Sequence, residues 1–116
     1  MIINIKATGM ELTPAIRQYA EDKINSLNKF FDNIVQADID VGMTTHHHRK
    51  GKIFYAEVNL HVPPHGKLER IVKEEEDLYK AIDKVKDHFK VELERMKEKL
   101  RHKDKQELRD TKEYQG

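Results

Sequence analysis

Val35 to Val62 reads VQADIDVGMTTHHHRKGKIFYAEVNLHV, and the fold turns on how its apolar residues recur. Ala37, Ile39, Val41 and Met43 alternate with Asp38, Asp40 and Gly42. After the interruption, Phe54, Ala56, Val58, Leu60 and Val62 alternate with Tyr55, Glu57, Asn59 and His61. A period of two puts each apolar set on one side of an extended chain, which predicts two half-buried strands with a polar tip between them.

Upstream, MIINIKA places Ile3 and Ile5 on one side and Asn4 and Lys6 on the other, a short first strand closed by Gly9. LTPAIRQYAEDKINSLNKFF then predicts a helix, with Thr13 as N-cap and Pro14 at the first helical position. Ile16, Ala20, Ile24, Leu27 and Phe31 form its apolar stripe, with Tyr19, Phe30 and the aliphatic stem of Lys23 along the edge. Downstream, PPHGK predicts a turn and LERIVK a poorer fourth strand, in which Leu68 and Val72 share one face and Ile71 lies on the other, so the register stays open. From Asp77 a second helix carries Leu78, Ile82, Val85, Phe89, Leu93, Met96 and Leu100 at helical spacing. The acidic EEED suits its positive end and RMKEKLRHK its negative end.

The element order is β-α-β-β-β-α, an α+β fold. A strand-helix-strand unit makes a crossover between parallel neighbours, and hairpins add the remaining strands. The expectation is a four-stranded mixed sheet in the order 1-2-3-4, with two helices packed on one face and the other face open. Residues 1–102 form one domain, and 103–116, charged and without core residues, a flexible tail.

The chain has 116 residues, enough for one two-layer core. Charged residues are 37% of it, yet the net charge is only +1 with the histidines neutral, so attraction to a polyanion must come from local clusters. It contains no cysteine, which excludes disulfides, thiolate zinc sites and thiol nucleophiles. With no basic leader and no run of about 18 apolar residues, a cytoplasmic protein is expected.

Catalytic patterns are missing: there is no phosphate loop, no Gly-x-Ser-x-Gly and no His-Glu-x-x-His. No enzymatic activity, cofactor or small-molecule substrate is expected. Asp38 and Asp40 share a strand face, a geometry a metal could use, but solvated acids on a wet sheet face explain them as well. His46, His47 and His48 could supply two ligands on one side of an extended tip, fewer than zinc sites commonly use, and Arg49, Lys50 and Lys52 repel a dication. A solvated hairpin tip and a phosphate-contacting finger remain open for this stretch. Its lack of acids favours the finger. A second cationic cluster comprises Arg95, Lys97, Lys99, Arg101, His102, Lys103 and Lys105, flanking both sides of the Leu93, Met96 and Leu100 seam, and it supports a nucleic-acid partner.

GMELTPAIR (9–17) and EEDLYKAID (75–83) resemble the two helix starts of the short ribosome hibernation factors, the family of the ribosome-associated inhibitor once called sigma-54 modulation protein. The resemblance spans roughly residues 1–102 in the same element order. It implies a monomer that binds the small ribosomal subunit at the decoding region and blocks messenger RNA and A- and P-site transfer RNA when growth stops, with no membrane partner. Positions matching the family's basic surface are Arg17, Lys23 and Lys29 on the first helix and Arg95, Lys97 and Lys99 on the second. This chain departs from the pattern in the middle of the second helix, where His88, Val91, Glu92 and Glu94 stand in place of cations. It departs again in its longer, more basic tip, which on this reading becomes a finger toward ribosomal RNA, strengthened below about pH 6.5 as histidines charge. A general double-stranded RNA-binding module is the alternative, since a sheet with two helices on one face and a cationic helix also suits that role. Whether the protein promotes or opposes ribosome pairing does not follow from its tail.

Overall fold

A computed structural model describes the backbone of residues 1–44, 53–63 and 70–115, and their side chains through Arg101. The tip with His46–His48, Arg49, Lys50 and Lys52, the segment with Leu68 and the side chain of Lys103 lie outside the described residues.

The expected layers form. β1 (Ile2–Thr8) pairs parallel with β2 (Gln36–Met43), which pairs antiparallel with β3 (Phe54–His61), and β3 antiparallel with β4 (Ile71–Glu75). The sheet order is 1-2-3-4. α1 (Pro14–Asn25) and α2 (Leu78–Gln115) cover one face. Ala37, Ile39, Val41, Ala56, Val58, Leu60 and Ile71 are buried beneath Ile16, Ala20, Ile24, Leu78, Ala81, Ile82, Val85, Phe89 and Leu93. The alternate residues, Asn4, Lys6, Asp38, Asp40, Tyr55, Glu57 and Glu74, form the uncovered face.

Local chemistry fixes the helix starts. The Thr13 hydroxyl accepts the Ile16 N–H at 3.2 Å, and Pro14 opens α1 without wasting a donor. The Asp77 carboxylate accepts the Tyr79 N–H at 2.9 Å, capping α2. Gly42 is needed on β2, where a Cβ would lie 2.3 Å from the Thr8 carbonyl oxygen and 2.8 Å from the Tyr55 ring.

Four expectations are revised. The first helix is α-helical only to Asn25 and tightens into a 3-10 turn, Ser26–Lys29, which still buries Leu27. The fourth strand starts at Ile71, paired with Val58, so Ile71 faces the core and Val72 the open face. Glu74 and Glu75 belong to that strand, leaving Asp77 as the acid at the helix start. Tyr79 packs on Tyr19 of α1. The second helix does not stop near His102 but continues to Gln115: residues 103–115 contain neither Gly nor Pro and are rich in Lys, Gln, Glu and Arg, good helix formers even without a core to cover.

Candidate nucleic-acid interface

The seam between α1 and α2 is pinned at one end by a polar latch. The Tyr19 hydroxyl donates to Asp83 Oδ1 at 2.7 Å, and the Tyr19 and Tyr79 rings meet edge to face at 4.7 Å. Lys23 Nζ lies 5.4 Å from the centre of the Tyr19 ring and 3.5 Å from Asp83. Because the neutral phenol is the donor, the Asp83 hydrogen bond, followed by burial, pushes the Tyr19 pKa from 10.0 up to about 12. A raised folded pKa means that this stabilisation is complete below pH 10 and fades as pH rises toward 12. In an ultraviolet alkaline titration, Tyr19→Phe should remove a step near pH 12, and an unchanged titration there would refute the latch.

Asp83 places one flank of α2 against α1, and the residues in register with it continue that flank. Lys86, Lys90, Lys97 and Arg101 follow at separations of four, seven and four residues, which on a helix is one strip. Lys90 Nζ sits 5.0 Å from the centre of the Phe30 ring, just beyond the 3-10 turn of the first helical segment. Lys23 and Lys90 are thus held over aromatic rings, while exposed Lys97 and Arg101 carry the strip outward. Lys29 is exposed one residue before Phe30. Lys29, Lys97 and Arg101 form no ion pair among the described residues, whereas Lys86 lies 3.6 Å from its neighbour Asp87.

The other expected contacts separate from this strip. Arg17 occupies the flank of α1 away from α2 and pairs with Glu21 at 3.6 Å. Arg95 and Lys99 lie on the far flank of α2, where Glu92 takes Arg95 at 3.2 Å and approaches His88 at 3.8 Å. Lys86 and Lys90 escaped sequence reasoning, which saw the middle of the helix as depleted of cations. His88, Val91 and Glu92 lie off the strip on its other sides, whereas Glu94, four residues after Lys90 and three before Lys97, sits within it, so the depletion touches this flank at one position. The i, i+4, i+11, i+15 spacing from Lys86 was the available signal.

The uncovered sheet face has different chemistry. Asp38 accepts from Gln36 at 2.9 Å and Asn4 at 3.1 Å and pairs with His61 at 3.0 Å, and these bonds, led by Gln36, hold its carboxyl below the ordinary range. Asp40 accepts from Thr8 at 3.0 Å and Tyr55 at 3.1 Å. A shallow hollow of about 350 Å³ is lined by Asn4, Lys6, Asp38, Asp40, Glu57 and Asn59. Asp38 and Asp40 each already bond neighbouring side chains, and among the described residues no three His, Asp or Glu side chains gather to hold a metal.

Residues 3–101 match the family described as sigma 54 modulation protein / S30EA ribosomal protein. The chain belongs to that family. It is similar to the ribosome hibernation promoting factor of Azotobacter vinelandii, 35% identical over 106 residues that cover 91% of this chain and 86% of that one. It is also similar to the ribosome hibernation promotion factor of Bacillus subtilis, 29% identical over 103 residues, 89% of this chain and 52% of the relative. Against the latter and the similarly long relatives of Lactococcus lactis and Deinococcus radiodurans, the chain spans about half the length. The N-terminal domain of Thermus thermophilus Protein Y superposes with a TM-score of 0.71 at 30% identity, covering 83% of this chain and 99% of that domain. Among the described residues, no helix of this family member is long and apolar enough to cross a membrane.

Proposed function

We propose that this family member is a ribosome-associated translation inhibitor, a hibernation factor that binds the small subunit at the decoding region and excludes messenger RNA and A- and P-site transfer RNA. The observation that carries the reading is the cationic strip of Lys23, Lys86, Lys90, Lys97 and Arg101 along the helix seam, which fits a phosphate backbone running past it. The names of the relatives supply the ribosome as the source of that backbone. In this reading the protein acts in the cytoplasm as a monomer on each ribosome, as one rigid body that occludes a channel, without cofactor or catalysis.

Co-sedimentation with ribosomes, separated subunits and free duplex RNA tests this. Saturable binding to small subunits, competition with initiator transfer RNA, and weakening as salt rises are the expected results. Equal or tighter binding to free duplex RNA would favour a general double-stranded RNA-binding module, and undiminished translation at saturating protein would overturn occlusion. The tip is proposed as a second contact. Replacing Arg49, Lys50 and Lys52 by alanine should leave the melting temperature unchanged and weaken ribosome binding by about 1 to 3 kcal/mol in total. Binding equal to wild type at every salt concentration would reduce the tip to a solvated turn.

A further inference from the structure

The two edges of the sheet differ in what they leave open. β4 is five residues long, carries Lys73, Glu74 and Glu75, and is tied to α2 by the ion pair of Glu75 with Lys84. Charges and brevity are the ordinary means by which an edge strand avoids recruiting another strand. β1 has neither protection: it runs seven residues, IINIKAT, with Lys6 as its single charge and no proline. The Ile2 N–H donates to the Val35 carbonyl at 2.9 Å, toward β2. Backbone groups alternate sides along a strand, so those of Ile3, Ile5 and Ala7 point away from the sheet. The side chains of the same three residues face the helices yet are only half-buried, whereas their β2 partners Ala37, Ile39 and Val41 are buried.

The strand that would complete this edge is extended, apolar toward the helix layer at alternate positions, polar on the open face, and free of a positive charge opposite Lys6. β1 itself has that pattern. We propose that the free protein self-associates through antiparallel pairing of β1 with β1 of a second copy about a two-fold axis at Ile5. Ile5 then meets Ile5 and Ile3 meets Ala7 on the helix side, with their outward N–H and C=O groups exchanged. On the open face Asn4 meets Lys6 and Ile2 meets Thr8, so no like charges oppose. The pairing extends the sheet to eight strands with all four helices on one side, and its small area makes it a weak, concentration-dependent dimer of protein not engaged elsewhere.

Sedimentation velocity of the full chain from micromolar to millimolar concentration should show a reversible monomer–dimer equilibrium. Asn4→Lys sets two lysine pairs across the axis and should raise the dimer dissociation constant by about 2- to 30-fold. Inside the fold that lysine faces Asp38, so the monomer keeps its stability. Adding Lys6→Glu places opposite charges at the same two positions and should restore pairing. Because the chain has no cysteine, Ile5→Cys provides a geometric readout: mild oxidation should give a covalent dimer, while Val72→Cys, on the opposite edge and more exposed, should not. A sedimentation coefficient that stays monomeric throughout overturns the proposal, as does a dimer indifferent to Asn4→Lys and equally cross-linked by both cysteines.

Discussion

Replacing Lys86, Lys90, Lys97 and Arg101 together by alanine is expected to lower affinity for ribosomes on the order of a hundredfold at physiological salt and to flatten the logarithmic salt dependence by about 3. Each phosphate neutralised by a lysine or arginine releases a fraction of a counterion, so removing all four cations in one variant changes the slope too much to be mistaken for a conformational effect. Replacing Arg95 and Lys99 on the far flank is the matched control. Arg95 is already engaged by Glu92, and neither residue shares the strip, so this double variant should bind within a few-fold of wild type. Removing the Lys90 ammonium from above the Phe30 ring should cost only about 0.5 to 1 kcal/mol of stability, which a melting curve separates from the binding effect. Equal affinity of the four-residue variant and wild type at low and high salt would remove the helix seam from the interface.

That experiment turns on residues the sequence half disclosed. Alternation in 35–62 was sufficient for two strands and their inward faces, because a period of two has no other stable reading when one side is apolar. Thr13 and Pro14 announced the first helix through capping chemistry that acts within three residues and needs no tertiary context. The register of the fourth strand stayed open because Ile71 and Val72 are both apolar, and only pairing with Val58 decides which of them is buried. The helix end was misplaced because the absence of core residues was taken as a stop, although propensity alone carries the backbone to Gln115. The proposed interface was legible as charge but not as geometry. Counting cations along α2 groups Arg95 and Lys99 with Lys97 and Arg101, whereas the docking of Asp83 on Tyr19 and Lys23 shows which flank meets α1. That docking depends on two aromatic rings 60 residues apart in the chain, Tyr19 and Tyr79, which no local pattern connects.

Gly42→Val is expected to be the most damaging single substitution outside the helices, lowering stability by about 3 kcal/mol or more out of the roughly 5 to 15 typical of a domain. The cause is backbone proximity. A Cβ at this position would lie 2.3 Å from the Thr8 carbonyl oxygen, which belongs to the neighbouring strand and cannot rotate aside as a side chain could. Relief requires prying β1 from β2 at the Thr8–Gly42 pair or twisting the strand, and either change also disturbs the Thr8 hydrogen bond to Asp40. The second obstruction, the Tyr55 ring at 2.8 Å, is softer, although moving it costs the Tyr55 hydrogen bond to Asp40. The two causes separate in a double variant: Tyr55→Ala added to Gly42→Val clears the ring but leaves the Thr8 carbonyl in place, so stability should stay well below that of Tyr55→Ala alone. Urea midpoints of the four proteins in this cycle measure the difference. If Gly42→Val melts like wild type, or if removing the ring abolishes its entire cost, the close approach of β1 to β2 is not what demands glycine there.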